Sequence, residues 1–370
     1  MKSQLAALDL YYLIKELKCL IGSKVNKIYL PLKKQLIINF HTPNIGSQQL
    51  FIDVEETLYL TEFKFPTNEP SEFCMFLRKK LENSRLKDIE QLEFERIIKL
   101  VFESKESNFE LILELFSRGN IILAKDSIIL IAEEHQQWKD RVIKPNITYD
   151  YPKKEHNFLK ITKDELNKLL KNTTKESLVK SLALDLGLGG IYAEELCLMS
   201  KLDKNKKPKD ITEKELLSLN NAFKEIKNKK LTPQIVKDQN IIIDIVPFGL
   251  DYYKIYEKEE SETFSKSLDN YFSNLAISLK FEKQKKKLDS VKNIIKKQEE
   301  TIKELEKLEI ENREKAEILY KKYELVSNIL KEINLIKKKH SWEEIKEKLK
   351  DHKLVKEVNP KEKTILIEIS

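Results

Sequence analysis

From Lys266 to Asn359 the chain contains neither glycine nor proline, and through most of that stretch apolar residues recur every seven positions. With Leu288 as an a position, the a series runs Leu288, Ile295, Ile302, Glu309, Ala316, Tyr323 and Leu330. The d series runs Val291, Gln298, Leu305, Asn312, Leu319, Val326 and Ile333. A register held over so many heptads predicts a coiled-coil arm over 266–338. One helix cannot bury such a seam alone, so the pattern demands a partner helix, from a returning segment or another chain. Glu309 and Asn312 are the weak point, either a polar register device or the bend of a short hairpin. The unbroken phase favours one helix, because a turn would reset it. Beyond the arm, 341–370 reads as a small helix plus a two-stranded hairpin turning at Asn359-Pro360, a module at the arm's tip.

Ahead of the arm the periodicity is mixed. Residues 3–21 predict an amphipathic helix capped by Ser3, with Leu10, Leu13, Ile14, Leu17 and Ile21 in one stripe and Gly22 as its stop. Strand-like runs follow at 24–30, 35–41, 49–53 and 57–62, then Pro66, Pro70 and a helix over 71–82. Further strands are expected near 86–91, 94–103, 108–116 and 119–132, the last a hairpin about Lys125-Asp126. Runs of strands punctuated by two helices predict an α+β domain with a largely antiparallel sheet over 1–135. A polar connection spans 136–160, a helical domain 161–230, and strands that pack back on the head 231–260.

Hydrophobic residues make up 41% and charged residues 35%, the balance of a globular chain. No apolar run approaches the roughly 18 to 20 residues that span a bilayer. Asp9, Lys15, Glu16 and Lys18 interrupt the first helix and exclude a secretory leader there, so a cytoplasmic protein without membrane contact is expected. Cys19, Cys74 and Cys197 lie far apart, and His41, His135, His156, His340 and His352 do not cluster, so no metal site or cofactor is expected. The net charge of +7 is only a modest pointer to a polyanionic partner.

Three of the seven glycines crowd into LGLGG (186–190), between two apolar helical runs. Gly187, Gly189 and Gly190 in that place either seat a phosphate on exposed backbone amides, as helix-hairpin-helix modules do, or serve a tight turn needing positive φ. In FERIIKLVF, alternation puts Phe94, Arg96, Ile98, Leu100 and Phe102 on one face, so Arg96 needs a carboxylate, with Asp9 and Glu114 as candidates. Either that pair braces helix to sheet or it grips a ligand at a cleft. FCMFLRKKLENSRLK turns Arg78, Lys79, Lys80 and Arg85 outward, a solvated face or a phosphate-binding one. Arg118 and Gly119 in SRGN form a turn whose arginine is an unspecific phosphate ligand.

The ordered set MKSQLAALDL, FCMFLRKKL, QLEFERII, ELFSRGNIIL, LGLGGIYAEELC, SLDNYFS, a long coil and SWEEI closely resembles the NFACT family. These are the fibronectin-binding-protein-A-like proteins, relatives of the nuclear export mediator factor and of the tail-adding subunit of the ribosome quality control complex. The likeness covers essentially the whole chain, and its start looks more like the archaeal branch than the eukaryotic one. It implies an N-terminal domain shaped like that of formamidopyrimidine-DNA glycosylases, a helix-hairpin-helix domain, and a coiled-coil arm with a middle domain at the tip. It further implies a non-enzymatic factor that binds the obstructed large ribosomal subunit and tRNA, alanine tRNA being expected. Such a factor promotes tailing of the stalled chain without mRNA. The implied tRNA- and ribosome-binding residues are Asp9, Glu95, Arg96, Arg118, Arg78 and Lys79. Glu95 stands where the family carries aspartate. The likeness also implies that a returning helix and a further domain follow, so this chain reads as a fragment or a short version. A DNA glycosylase is disfavoured by the start Met1-Lys2-Ser3, which lacks the proline-glutamate of that chemistry, and a surface adhesin by the missing leader.

Overall fold

The computed structural model describes residues 4–65, 69–105, 107–138, 141–152, 154–350, 352 and 354–368, with backbone alone for 274–289. It forms two compact units, 1–278 and 279–370.

The first unit opens with α1 (Ala7–Leu17) and a 3-10 turn, Lys18–Leu20. Four strands follow: β1 (Lys24–Tyr29), β2 (Gln35–Thr42), β3 (Gly46–Asp53) and β4 (Thr57–Leu60). Then come α2 (Glu72–Leu81), β5 (Arg85–Gln91), β6 (Ile97–Glu103), β7 (Asn108–Glu114), β8 (Asn120–Lys125) and β9 (Ile128–Ala132). The nine strands make one antiparallel sheet ordered β4-β3-β2-β1-β5-β6-β7-β8-β9. The α+β expectation therefore holds, with the hairpin between β8 and β9 turning at Asp126 and Ser127, both at positive φ.

The sheet is a repeated pattern. Gly22-Ser23-Lys24-Val25 leads β1 and Asn83-Ser84-Arg85-Leu86 leads β5, each opened by a residue at positive φ and each with a register shift two positions on. The halves join at Lys24 and Arg85 through reciprocal bonds, Val25 N to Ser84 O and Leu86 N to Ser23 O, both 2.9 Å. This one short junction joins a four-strand half, β4-β3-β2-β1, to a five-strand half, β5-β6-β7-β8-β9.

The expected first helix starts late. Ser3 lies outside the described residues, and the N-cap is Ala6, whose N–H donates to Asp9 Oδ2 at 2.8 Å. The carboxylate thus satisfies an orphan amide of the first turn, where negative charge is favoured. The strand expected from Phe94 also starts late, at Ile97. Glu93 and Phe94 take φ of 46° and 60°, which breaks the alternation. Phe94 turns into the helical core against Phe158, and Arg96 sits ahead of the strand instead of on its apolar face.

Two short strands, β10 (Gln136–Gln137) and β11 (Val142–Ile143), lead into the helical domain. It consists of α3 (Lys163–Asn172), α4 (Leu178–Leu184), α5 (Gly190–Ser200) and α6 (Glu213–Asn228). Next, β12 (Gln234–Asp238), β13 (Ile241–Val246) and β14 (Glu257–Glu260) form a second sheet, ordered β13-β12-β14. Helix α1 serves two cores. Leu10, Leu13, Ile14 and Leu17 pack into the sheet's core, while Ala7, Leu8 and Tyr12 join the core of the helical domain. Ile97, Ile112 and Ile122 cover the sheet's other face in a third cluster.

Helix α7 (Phe264–Lys321) starts on the first unit, where Glu16 caps it by accepting from Phe264 N at 2.7 Å and Ser265 N at 3.0 Å. Its Asp269, in SLDNYFS, accepts from Thr61 Oγ1 at 2.7 Å.

Within the second unit the helix passes unbroken through Glu309 and Asn312 and is interrupted at Lys322, after which α8 (Tyr323–Lys337) begins. Lys322 has φ of −115°, and helical bonds resume on either side of it. Val291, Ile295, Ile302, Leu305 and Leu319 are all exposed, so the seam is uncovered among the described residues. Past Lys322 the buried stripe changes. Tyr323 and Leu330 of the a series stay exposed, whereas Ile329 is buried, as are Ile345 of α9 (Trp342–Lys348), which lies against α8, and Val358 of β15 (Val355–Asn359). With β16 (Thr364–Ile367) these form the tip module, which therefore includes α8.

Candidate nucleic-acid interface

The site grows from the glycine hairpin. Leu186 and Leu188 are wholly buried, and Gly187 and Gly189 alternate with them at φ of 68° and 79°. Gly187, between two leucines anchored in the core, and Gly189, just after them, take the positive-φ backbone that only glycine enters freely. Gly189 is the N-cap of α5 and Gly190 its first residue, and no side chain caps that end. The first turn of α5 therefore lines a cavity of about 510 Å³ together with Gln4, Ala6, Asp9, Ile243, Asp244, Tyr252, Tyr253 and Tyr256.

Asp9 is 1% exposed and accepts on Oδ1 from the hydroxyl of Tyr192, the third residue of α5. Burial, and then the Asp9 charge, push the Tyr192 hydroxyl well above its ordinary value, so it remains a donor. Across the cavity, Asp244 accepts from Tyr253 Oη at 2.7 Å, and burial and that carboxylate likewise raise Tyr253. Both carboxylates are thus engaged as acceptors, an arrangement suited to holding shape and charge more than to moving protons.

Arg96 reaches this site indirectly. Its Nη1 donates to Gln4 Oε1 at 2.8 Å, and Gln4 lines the cavity. Partial burial draws the guanidinium below its ordinary value, and the Glu95 charge opposes that shift. The carboxylate bridges considered from the sequence are not made: Glu114 is taken by Arg141 and by Tyr149 Oη at 2.7 Å. Glu95 faces the other side of the hairpin, 2.8 Å from Lys154 Nζ. That ammonium occupies the space a Cβ on Gly187 would need, 2.2 Å away. Sequence positions 9, 95, 96 and 187–190 therefore meet around one hairpin.

The other basic candidates lie elsewhere. Arg78 does not point outward as expected: its side chain is only 17% exposed, its Nε donates to Ile28 O at 2.7 Å, and it lies over the Tyr29 ring. Arg78 and the exposed Lys79 border a separate cavity of about 810 Å³ with Lys27, Met75 and Phe76. Lys80 lies over the Phe109 ring, and Arg85 is spent on Gly22 O at 3.0 Å. Arg118 is exposed in a turn where Gly119 closes against the Val54 carbonyl.

Sequence reading passes over Gln4, Tyr192, Asp244 and the tyrosines of DYYKIY. The clustering of Tyr252, Tyr253 and Tyr256 after a lysine-rich loop was the available signal. Glu195 of α5 was the other omission. Wholly buried, it accepts from Asp251 N at 3.0 Å and Tyr252 N at 2.9 Å, with Lys229 Nζ 3.7 Å away. It fastens the tyrosine segment to the hairpin helix.

A nine-stranded antiparallel sheet, a glycine hairpin that meets the start of α1 at one aromatic and acidic cavity, and a long helix define a class of α+β protein. The chain belongs to the NFACT family, whose model for the N-terminal and middle domains matches residues 7–365. It is 31% identical over 373 residues to the archaeal Rqc2 homolog aRqcH of Methanocaldococcus jannaschii, covering 95% of this chain and 55% of that protein. Ribosome quality control complex subunit NEMF of Homo sapiens is 26% identical over 93% of this chain and 35% of its own length. The chain thus spans about half, or less, of these curated relatives. The crystal structure of the fibrinogen binding protein from Staphylococcus aureus superposes with a TM-score of 0.60 at 20% identity, over 72% of this chain and 98% of that one. No helix among the described residues is long and apolar enough to cross a membrane.

Proposed function

We propose that this chain is the RNA-gripping part of a ribosome quality control factor. It binds the obstructed large ribosomal subunit and tRNA and promotes mRNA-independent C-terminal tailing of the stalled chain, with alanine tRNA as the expected species. The reading is carried by one observation: Asp9, Arg96 through Gln4, and the glycine hairpin converge on one cavity from three distant segments. Membership of the NFACT family, and relatives that include a ribosome quality control complex subunit, support it.

Within this reading the head supplies position and charge, and peptide chemistry belongs to the ribosome. Asp9 shapes the hairpin end, Arg96 meets the RNA backbone at the rim, Gly189 and Gly190, with open space where a Cβ would sit, let an RNA strand approach closely, and Gly187 makes room for Lys154. Arg118 and Lys79, both exposed, and Arg78 add outlying contacts. The uncovered seam at Val291, Ile295, Ile302 and Leu305 pairs with a helix from a returning segment or another chain.

The test is to isolate the protein with its bound RNA from cells, sequence that RNA, and measure tRNA affinity against salt. Enrichment of tRNA and large-subunit RNA, with affinity falling steeply as salt rises, is expected from counterion release. Affinity that stays flat with salt, or copurified RNA no different from the cell's total, sinks the reading.

A further inference from the structure

The segment after β13 carries an aromatic run that the Asp9 cavity does not exhaust. The rings of Tyr252 and Tyr253 pack edge to face, 4.9 Å apart at 80°, and those of Tyr253 and Tyr256 at 5.9 Å and 71°. The inner ring is fixed by its bond to Asp244. The outer one is open: Tyr252 is 37% exposed, and the neighbouring Ile255 is 87% exposed. Edge-to-face packing on a buried ring orients the exposed one. Below it, Glu195 clamps the backbone amides of Asp251 and Tyr252. An aromatic ring already held in place gives up little freedom when something stacks on it.

Its surroundings favour a nucleic acid. The loop KLDKNKKPKD (201–210) holds five lysines against two aspartates, and Lys201, Lys204, Lys207 and Lys209 are exposed. Lys204 is ion-paired at 2.8 Å with Glu194, the neighbour of the Glu195 that holds the Tyr252 amide, and Lys254 is exposed in the tyrosine segment itself. The cavity behind is lined by Asp9 and Asp244, which repel a phosphate and tolerate a neutral base. A flat open ring among exposed lysines holds single strands by stacking on the base while lysines take the adjoining phosphates.

We propose that Tyr252, backed by Tyr253 and Tyr256, is a stacking platform for an unpaired nucleobase at the rim of the Asp9 cavity. The platform rests on the RNA-binding reading above and specifies how the RNA is held.

The experiment compares three probes on the full chain: fluorescent oligoadenylate, an abasic ribose-phosphate oligomer of equal length, and bulk tRNA. Wild-type protein should prefer oligoadenylate to the abasic oligomer by roughly tenfold, the scale of one stacked base. Tyr252→Ala should erase that preference without altering the salt dependence, and Tyr252→Phe should keep it. Tyr252 is exposed, so both variants should fold, which thermal melting checks. Wild type that binds tRNA without preferring oligoadenylate overturns the platform and leaves the RNA reading standing. Binding of oligoadenylate by Tyr252→Ala as tight as wild type also overturns it and turns the ring toward a protein partner. Wild type that binds none of the three probes overturns both.

Discussion

The hydroxyl of Tyr192 donates to Asp9 across 183 residues of sequence, joining the first turn of α5 to the first turn of α1. One carboxylate thus caps its own helix through Ala6 N and holds the glycine hairpin in place. Removing only the donor, in Tyr192→Phe, takes one hydrogen bond from a 1%-exposed carboxylate while the ring stays packed near Phe248. Urea denaturation should show a loss of about 1 to 3 kcal/mol. An unchanged midpoint would mean that packing alone seats the hairpin.

Arg96 distinguishes a brace from a grip. A buried arginine bridged to a carboxylate would cost roughly 3 to 5 kcal/mol to truncate. Arg96 instead bonds the neutral Gln4 and is only partly buried, so Arg96→Ala should cost about 1 kcal/mol or less. The same sample should lose tRNA retention on isolated large subunits. A collapse in melting temperature with normal binding by the surviving folded fraction makes Arg96 structural.

Glu195 sits deepest of the site's carboxylates. Glu195→Ala leaves the amides of Asp251 and Tyr252 without their acceptor and Lys229 without its nearest carboxylate. A destabilisation of roughly 2 to 4 kcal/mol is expected by chemical denaturation. Hydrogen exchange should quicken at residues 251–256 before the rest of the head. Uniform exchange across the head would argue against a local clamp.

Gly119 packs without a side chain against Val54, where an added Cβ would lie 2.7 Å from the carbonyl oxygen, and its φ is 63°. Gly119→Ala should therefore cost about 2 kcal/mol or more, through backbone strain and the displaced β3–β4 turn. Thermal melting measures it.

Acid stability depends in part on Glu134, which Lys33 and Lys34 hold down at about 2, from an ordinary 4.5. A folded value below the unfolded one contributes stability above pH 4.5, and that contribution is lost as pH falls toward 2. Glu133 opposes it, because burial pushes its carboxyl up. Glu134→Gln should be less stable than wild type at neutral pH, and the difference should shrink through that window. A difference that stays constant from pH 6 to pH 2.5 would assign the effect to packing.

Local pattern was enough for the elements whose signal is local. The two helices among strands, the glycines between apolar helices and the heptads from Leu288 onward all state their structure within a few turns of chain, and the sheet, hairpin and long helix follow them. The boundaries moved where one side chain competed with the pattern. Asp9 back-bonding to Ala6 fixes the start of α1, and positive φ at Glu93 and Phe94 fixes that of β6. The interruption at Lys322 was hidden because the heptad phase runs through it, and only the fold, with α9 against α8, buries Ile329, which lies outside the a and d series. In the candidate site, the residue types were readable but their partners were not. Nothing near Asp9 in the sequence announces Tyr192, nothing near Arg96 announces Gln4, and Glu195 looks like one more acid on a helix. Periodicity reports which face of an element is apolar. Which buried charge meets which donor depends on segments brought together only when both cores close around α1, so tertiary structure alone decided it.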